Sequence, residues 1–308
     1  MRILVTGGAG FIGSHIVDAL VERGHSVGVV DNLYSGRREN VHSKARLYVV
    51  DVTSKDLDGV MDRERPEVVF HEAAQVDVKK SVADPAFDAK VNILGGINLY
   101  ENCARLSVRK IVFASSGGTV YGELDELPAR EQAPTRPISP YGIAKLANEH
   151  YLHYYARTRG ITTICLRYAN VYGPRQNPHG EAGVVAIFAG KLLRGETPVI
   201  NGTGEQTRDY VYVDDVVAMN LHALDCEKSD AFNVGTGRET DVNQIYELVR
   251  KAVGSDVVAP HGPAIAGEQM RSVVDWSKAH RLFGWSPKVQ LDEGLRRTVA
   301  WFRGQITP

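Results

Sequence analysis

The chain has 308 residues, 43% hydrophobic and 24% charged, which is typical of a globular protein with a sizeable core. Its formal net charge of −1, from 36 basic and 37 acidic residues, gives no electrostatic basis for binding nucleic acid. No run approaches the roughly 18 apolar residues of a membrane span, and the amino-terminal segment lacks a signal-peptide pattern. Three scattered cysteines predict neither a disulfide framework nor a metal site. We therefore expect a cytoplasmic protein that binds no nucleic acid, no membrane and no metal.

Short apolar, β-branched runs alternate with helix-length segments in the first half of the chain. The predicted strands are 2–6, 26–31, 46–50, 67–71, 110–115 and 162–168. The predicted helices between them are 11–24, 53–63, 85–107 and 140–159. Nearly continuous apolar strands are expected where helices cover both faces of a parallel sheet. The pattern therefore predicts an α/β protein with a doubly wound parallel sheet, the Rossmann fold.

The alternation loosens after residue 170, where a loop rich in Gly, Pro and Asn begins. The predicted elements there are helices near 184–194, from 214, near 241–253, 277–283 and 292–303, and strands at 198–200, 210–213 and 231–235. We predict a nucleotide-binding domain over 1–170, with its sheet completed by segments near 205–235. Residues 171–308 would form a smaller α/β lobe, mainly for substrate.

Three glycines, Gly7, Gly10 and Gly13, lie between the first strand and the first helix in "VTGGAGFIGSH". Glycine permits a tight turn and lets backbone N–H groups approach a pyrophosphate at the amino end of the helix. Tight turns also use glycine for conformational reasons alone. Because a strand precedes the turn and a helix follows it, the motif predicts dinucleotide binding.

Acidic residues at the ends of the second and third strands support the prediction of dinucleotide binding. Asp31 closes the second strand, 18 residues beyond Gly13, where a carboxylate can accept hydrogen bonds from ribose hydroxyls and repel a 2′-phosphate. This favours NAD over NADP. Asp51 and Val52 end the third strand and are candidates to contact the adenine, although "DVTSKD" is also a reasonable helix N-cap.

The segment "SPYGIAK" combines a helix start with a candidate proton-transfer pair. Ser139 fits the N-cap and Pro140 the first helical position. Tyr141 and Lys145 are then four residues apart on one helix face. A buried ammonium near a phenol favours the phenolate, so we expect the pKa of Tyr141 to fall from about 10 toward neutrality. Behind a nucleotide loop and five strands, the pair predicts a general acid/base rather than helix surface.

Several further segments carry a family resemblance that extends over essentially the whole chain. They are "VVDNL", "VVFHEAAQ", "ASSGGTVYGE", "LRYANVYGPRQ", "GEQTRDYVYVDD", "FNVGTG" and "GEQMRSVVDWSKAHRLFGW". With the glycine loop and "SPYGIAK", they resemble the extended short-chain dehydrogenase/reductase family, and within it the UDP-glucose 4-epimerases. The resemblance implies bound NAD as cofactor, a UDP-hexose as substrate and Tyr141 as catalytic acid/base with Lys145 as its partner. It also implies a homodimer that pairs the helices at 85–107 and 142–159.

The resemblance further implies which residues line the two binding sites. The cofactor-binding residues would be Gly7, Gly10, Phe11, Ile12, Gly13, Asp31, Asn32, Ser35, Gly36, Asp51, Val52, Ala73, Ala74, Gln75, Asn92, Ser115, Tyr141, Lys145 and Tyr168. The substrate-binding residues would be Gln75, Gly117, Gly118, Tyr141, Asn170, Gly183, Val184, Val199, Asn201, Arg208, Tyr210, Glu268 and Ser272. A guanidinium can grip a diphosphate with two hydrogen bonds, which suits Arg208, although a salt bridge to Asp209 or a neighbour is the alternative.

Three positions depart from the family pattern or vary within it. Gly117 stands where many relatives carry the serine or threonine that bonds the reacting sugar hydroxyl, so Ser116 or Thr119 would supply that catalytic hydroxyl, with Ser116 preferred. Ile265 stands where relatives usually have an arginine that holds the diphosphate. Ser272 is small where some relatives carry a tyrosine, which leaves room for an N-acetyl group.

The type of reaction follows from what the segment at 118–120 lacks. It contains neither the acidic pair that 4,6-dehydratases of the family use nor the glutamate of its decarboxylases. The resemblance therefore predicts interconversion of UDP-glucose and UDP-galactose through a 4-keto intermediate with bound NAD, and N-acetylated UDP-hexoses as further substrates. One alternative is a UDP-glucuronate 4-epimerase that uses Arg175, Asn177 and His179 of the polar loop 175–183. Another is a non-catalytic NAD-binding sensor or scaffold.

Overall fold

The computed structural model describes residues 1–178, 183–265 and 268–306. Its strands are β1 (Arg2–Thr6), β2 (Ser26–Asp31), β3 (Arg46–Val49), β4 (Val68–His71), β5 (Lys110–Ser116), β6 (Thr162–Tyr168), β7 (Asn170–Tyr172), β8 (Ile200–Asn201), β9 (Thr207–Arg208), β10 (Tyr210–Tyr212), β11 (Asp230–Val234), β12 (Thr240–Asp241), β13 (His261–Gly262) and β14 (Arg271–Ser272). Its α-helices are α1 (Phe11–Glu22), α2 (Asp56–Glu64), α3 (Val78–Ala83), α4 (Pro85–Ala89), α5 (Gly95–Arg105), α6 (Pro140–Arg159), α7 (Val184–Leu193), α8 (Val213–Asp225), α9 (Val242–Val253), α10 (Ser277–Phe283) and α11 (Leu291–Ile306). A 3-10 turn covers Arg38–Asn40.

The central sheet has seven parallel strands among the described residues, in the order β11-β6-β5-β4-β1-β2-β3. Successive side chains of a strand face opposite sides, so Ile3 and Val5 pack into one core and Leu4 into the other. Helices α1 and α8 cover the first face, and α2, α5 and α6 cover the second. The predicted doubly wound parallel sheet is confirmed.

The structure divides one predicted helix and adds another. The span 85–107, predicted as one helix, consists of α4, a π-helical turn at Lys90–Leu94, and α5. Helix α3 is absent from the sequence prediction; it begins where the Asp77 carboxylate accepts a hydrogen bond from the Lys80 amide at 2.8 Å. Its six residues are too few to show the apolar periodicity by which longer helices are recognised.

The second half of the chain contributes both to the sheet and to a smaller group of elements beside it. Strand β11 pairs in parallel with β6 at the edge of the central sheet, whereas β10 pairs with β7. Helices α7, α9 and α11 pack together, and β9 pairs with both β12 and β14. These elements face the carboxyl ends of the central strands across a cleft. None of the helices in the described ranges is long and apolar enough to cross a membrane.

Candidate functional site

The cleft begins at the glycine turn between β1 and α1. Gly7 has a φ of 71°, and a Cβ atom there would lie 2.6 Å from the Ala73 amide nitrogen. A Cβ atom on Gly13 would lie 2.2 Å from the Gly7 carbonyl oxygen. Side chains are therefore excluded at both positions, and the turn leaves bare backbone at the amino end of a twelve-residue helix. That surface fits a pyrophosphate group, which is attracted by backbone N–H groups and by the helix dipole.

Asp31 lies beside the glycine turn at the end of β2. Its carboxylate accepts hydrogen bonds from the amides of Ala9 at 3.0 Å and Leu33 at 2.8 Å. Burial raises the pKa of Asp31, although these two hydrogen bonds favour the charged form. A Cβ atom on Gly36 would lie 2.7 Å from the carboxylate, so only glycine lets this loop pass so closely. The carboxylate is thus fixed at the edge of the cleft where a ribose of the dinucleotide would lie.

Asp51 occupies the neighbouring strand end. Its carboxylate accepts hydrogen bonds from the Asn32 side chain at 2.8 Å and from the Thr53 amide at 2.8 Å. The carboxylate therefore orders the turn that precedes α2, but it is not the N-cap of that helix, which begins at Asp56 after Lys55 and has no side-chain cap. Asp51, Asn32, Ser35 and Val52 all line the cleft, so a contact with the adenine end of a dinucleotide remains compatible with this geometry.

Tyr141 and Lys145 lie on α6, near the middle of the cleft. The Ser139 hydroxyl accepts a hydrogen bond from the Gly142 amide at 3.2 Å, which establishes the predicted N-cap. The Lys145 ammonium lies 5.6 Å from the centre of the Tyr141 ring and donates a hydrogen bond to the Ala114 carbonyl at 2.7 Å. The helix thus directs phenol and ammonium to the same part of the cleft.

The expected fall in the pKa of Tyr141 is wrong for this structure. Burial raises the pKa of Tyr141 well above its usual value, and the nearby carboxylates of Asp88 and Glu72 raise it further. Burial also lowers the pKa of Lys145 to about 8, against the attraction of the Glu72 and Asp88 carboxylates, which favours the ammonium form. Because this ammonium is bonded to the Ala114 carbonyl and lies near two carboxylates, the pair alone does not stabilise a phenolate.

Glu72 is a residue of this centre that the sequence analysis missed. It follows β4, lines the cleft and accepts a hydrogen bond from the Tyr168 hydroxyl at 3.2 Å. Burial raises the pKa of Glu72 to about 7, against the attraction of the Lys145 ammonium. An acid directly after a buried strand, in "VVFHEAAQ", is the sequence signal that could have identified it.

Two hydroxyl groups line the cleft near Tyr141. Thr119 is notable because its Oγ1 is buried and finds no hydrogen-bond partner among the described residues. The Ser116 carbonyl accepts a hydrogen bond from the Thr119 amide at 3.3 Å, and the Ser116 Oγ lies 3.8 Å from a Cβ atom built on Gly118. Leaving a buried hydroxyl unpaired costs about 1–3 kcal/mol, so a group in this position is a candidate to bind a ligand or to take part in catalysis.

Four of the predicted site residues lie behind the cleft wall instead of lining it: Gly36, Asn92, Gly117 and Ser272. Gly36 packs on the Asp31 carboxylate, as described above. The Asn92 side chain is buried and accepts a hydrogen bond from the Gln75 amide at 2.8 Å, so it supports a lining residue. A Cβ atom on Gly117 would lie 2.9 Å from the Arg167 carbonyl oxygen and 2.9 Å from Val274, so this position cannot present a side chain to the cleft. Ser272 is buried on β14.

The far end of the cleft contains the candidate substrate residues. Arg208 donates a hydrogen bond to its neighbour's carbonyl and lies 3.5 Å from a carboxylate oxygen of Glu268. Asp209 is not its partner, because that buried carboxylate accepts hydrogen bonds from the loop at 236–237 and from the Val274 amide. The other lining residues from the substrate prediction are Gln75, Gly118, Asn170, Gly183, Val184, Val199, Asn201 and Tyr210. Ile265 also lines this end, so the Arg208 guanidinium and the Glu268 carboxylate face each other beside an apolar side chain.

The structure describes only part of the loop 175–183, which could recognise the carboxylate of UDP-glucuronate. The Arg175 guanidinium lies 2.7 Å from a carboxylate oxygen of Asp18 on α1, so its positive charge is paired within the protein. Asn177 lines the cleft. His179 lies outside the described residues.

The remaining residues from the cofactor prediction also line the cleft: Gly10, Phe11, Ile12, Ala73, Ala74, Ser115 and Tyr168. The Ser115 hydroxyl donates a hydrogen bond to the Glu149 carboxylate at 2.5 Å. Glu149 also forms an ion pair with Arg167 at 2.6 Å. Both side chains of this pair are less than a tenth exposed. The pair therefore connects α6 with β5 and β6 directly behind the site.

Comparison with known proteins gives a consistent set of relatives. A model of the NAD dependent epimerase/dehydratase family matches residues 3–235. The structure of a UDP-glucose 4-epimerase from Thermotoga maritima with UDP-glucose is 49% identical, with a TM-score of 0.98 and complete coverage of both chains. That of a UDP-glucose 4-epimerase from Thermus thermophilus in complex with NAD is 46% identical, with a TM-score of 0.95 over 99% of this chain and 100% of that chain. A UDP-glucose 4-epimerase from Mycolicibacterium smegmatis is 46% identical over 311 residues, covering 99% of each chain.

Proposed function

The chain belongs to the NAD dependent epimerase/dehydratase family, and from that premise we propose that it interconverts UDP-glucose and UDP-galactose by epimerisation at C4 through a 4-keto intermediate. The observation that carries this proposal is the joint presence, in one cleft, of a dinucleotide-binding glycine turn and the pair Tyr141 and Lys145. Relatives that share about half of this sequence over their full length are UDP-glucose 4-epimerases.

The glycine turn and Asp31 fit NAD as the bound cofactor. The bare backbone at Gly7 and Gly13 suits the pyrophosphate, and the Asp31 carboxylate suits a ribose without a 2′-phosphate. Lys145 would hold the ribose next to the nicotinamide. Bound NAD supplies a reversible hydride acceptor, so that oxidation and reduction at one carbon leave no net redox change.

The residues of the chain itself handle the proton and the sugar. In the enzyme with NAD bound, the positive charge of the nicotinamide would add to that of the Lys145 ammonium and lower the pKa of Tyr141, so that the tyrosine could act as a phenolate. Its oxygen would then receive the proton of the C4 hydroxyl as that carbon becomes a ketone, and return a proton when the alcohol forms again. Thr119 is favoured over Ser116 as the second hydroxyl that holds the reacting oxygen, because its Oγ1 is buried without a partner. Arg208 would bind the diphosphate and Glu268 the uridine ribose, which anchors one half of the substrate while the ketose turns.

The assembly and location of the enzyme are part of the same proposal. We expect a cytoplasmic homodimer that pairs the helices at 85–107 and 142–159, whose exposed side chains include Leu94 of the π-helical turn and Tyr151 and Tyr154 of α6, at 58%, 39% and 48% exposure. Residues 1–170 would chiefly bind NAD, and residues 171–308 would chiefly bind the UDP-sugar. Light scattering at micromolar concentration should give twice the chain mass of 33.8 kDa; a monomer would contradict the dimer.

A panel of five substrates tests the function. UDP-glucose, UDP-galactose, their two N-acetyl analogues and UDP-glucuronate would be incubated without added NAD and separated chromatographically. We expect conversion of the first two, abolished in Tyr141→Phe. We also expect conversion of the N-acetyl forms, because Ser272, behind the cleft wall, is small and adds no bulk to the wall. Failure on all five would refute the epimerase proposal. Efficient turnover of UDP-glucuronate alone would favour the alternative reaction, for which the pairing of Arg175 with Asp18 is unfavourable.

A further inference from the structure

A side-chain bridge connects two loops at the cofactor end of the cleft. The Lys80 ammonium, on α3, donates a hydrogen bond to the Tyr34 hydroxyl at 3.0 Å. The same ammonium lies 4.8 Å from the centre of the Tyr34 ring and 4.4 Å from the centre of the Phe87 ring. All three side chains line the cleft. A lysine between two aromatic rings is held by cation–π attraction in addition to the hydrogen bond.

The strand order of the central sheet shows which strand lies between Tyr34 and Lys80. Tyr34 follows β2 and Lys80 follows β4, and β1 lies between these two strands. Two inter-strand spacings amount to about 10 Å, which a tyrosine and a lysine reaching toward each other can span. The contact therefore passes over the carboxyl end of β1, where the glycine turn at residues 7–13 begins.

The backbone at both ends of the bridge is held in place. Leu33 has a φ of 58°, a conformation that a leucine rarely adopts, and its amide bonds to the Asp31 carboxylate. The Tyr34 amide donates a hydrogen bond to the Asn32 side chain at 3.0 Å. On the other side, the Lys80 amide is capped by the Asp77 carboxylate. Strained backbone of this kind persists only where the surroundings enforce it, and it is concentrated at functional sites.

We propose that Tyr34 and Lys80 form a strap that closes over the bound dinucleotide and slows its release. The inference rests on the proposed use of NAD in this cleft. Tyr34 is 78% exposed, so the strap lies on the solvent side of the cleft and can open without disturbing a core. An epimerase that keeps one cofactor through both half-reactions gains from such a strap, because loss of the reduced cofactor would leave the ketose without its hydride.

The strap is tested by the dissociation rate of NADH from the full-length protein. NADH bound to the protein is displaced by excess NAD and its fluorescence is followed by stopped flow, for wild type, Tyr34→Phe, Tyr34→Ala, Lys80→Met and the double variant Tyr34→Ala/Lys80→Met. Lys44→Met, an exposed lysine that does not line the cleft, controls for the loss of one positive charge.

We expect Tyr34→Ala and Lys80→Met each to release NADH about 5- to 20-fold faster, as for the loss of a cation–π contact and one hydrogen bond. The double variant should release it no faster than the quicker single variant, because both remove the same contact. Tyr34→Phe should fall between wild type and Tyr34→Ala, and Lys44→Met should match wild type.

Faster release from Lys80→Met with an unchanged rate in Tyr34→Ala would overturn the strap, since Lys80 would then act alone as a cation near phosphate. Unchanged rates in both single variants, or additive effects in the double variant, would overturn it as well. A wild-type protein that binds no NADH would instead overturn the cofactor assignment, and the strap with it.

Discussion

Replacing Thr119 by valine should have opposite effects on stability and on activity. The substitution keeps the shape of the side chain and removes the Oγ1 hydroxyl, which is buried without a partner among the described residues. A buried, unsatisfied polar group costs about 1–3 kcal/mol, so its removal should raise the free energy of unfolding by about 1 kcal/mol or more when no sugar nucleotide is present. A hydrogen bond to a group that develops charge contributes about 1.5–3 kcal/mol, so kcat/KM should fall roughly 10- to 100-fold.

The matched control is Thr298→Val. Thr298 is fully buried on α11, does not line the cleft, and its hydroxyl donates a hydrogen bond to the Gly294 carbonyl at 2.7 Å. Removing this satisfied hydroxyl should lower the free energy of unfolding by about 1 kcal/mol and leave kcat/KM unchanged. Urea denaturation, followed by tryptophan fluorescence at saturating NAD, measures the first quantity, and a coupled galactose assay measures the second.

Two outcomes would contradict this role of Thr119. If Thr119→Val loses stability as Thr298→Val does, the Thr119 hydroxyl has a partner within the protein. If Thr119→Val keeps full activity, the hydroxyl does not hold the reacting oxygen, and Ser116 becomes the remaining candidate.

Two further predictions concern the charges behind and within the site. Glu149→Gln leaves the Arg167 guanidinium buried without its counter-charge and should lower the free energy of unfolding by about 3–5 kcal/mol. The control is Asp62→Asn, which removes an ion pair with Arg105 of similar length that is about half exposed, and it should cost less than about 1 kcal/mol. Equal losses in urea denaturation would contradict the burial argument. Burial raises the pKa of Glu72 from 4.5 to about 7 despite the attraction of Lys145, so the folded protein holds this proton more tightly than the unfolded chain does. The protonated carboxyl group therefore contributes stability below pH 4.5, and this contribution is lost as the pH rises to about 7. Relative to wild type, Glu72→Gln should therefore gain stability at pH 7.5 but not at pH 4.5, and the same difference at both pH values would disprove the shift.

Much of the fold could be predicted because its signals are local. The six predicted strands of the first half agree with the structure to within one residue at each end, since buried parallel strands are continuous apolar runs. The N-cap at Ser139 was equally local, because serine before proline is a common helix start. By contrast, α3 has six residues and begins at one capping carboxylate, and the π-helical turn at Lys90–Leu94 was not predicted within the single helix 85–107.

The electrostatics of the site could not be derived from sequence spacing. Burial raises the pKa of Tyr141 most, and the carboxylates of Asp88 and Glu72, which lie far away in sequence, raise it further. Spacing within α6 identifies the helix face shared by Tyr141 and Lys145, but gives neither the depth of burial nor the bond from Lys145 to the Ala114 carbonyl. Long-range contacts of this kind are visible only once the chain is folded.

Gly117 is a similar case. The sequence identifies the missing hydroxyl at this position, whereas the structure explains it, because the carbonyl of Arg167 and the side chain of Val274 fill the space that a side chain would need. The unpaired hydroxyl of Thr119 is likewise a property of the packed cleft.

The most direct test of the central claim follows one hydrogen atom. UDP-glucose carrying deuterium at C4 would be incubated with the enzyme without added NAD, and the product analysed by mass spectrometry and NMR. We predict UDP-galactose that keeps the deuterium at C4, because the hydrogen removed there returns to the same carbon while Tyr141 exchanges only the hydroxyl proton. Loss of the deuterium to solvent, or accumulation of a keto sugar in place of UDP-galactose, would contradict the proposed epimerisation.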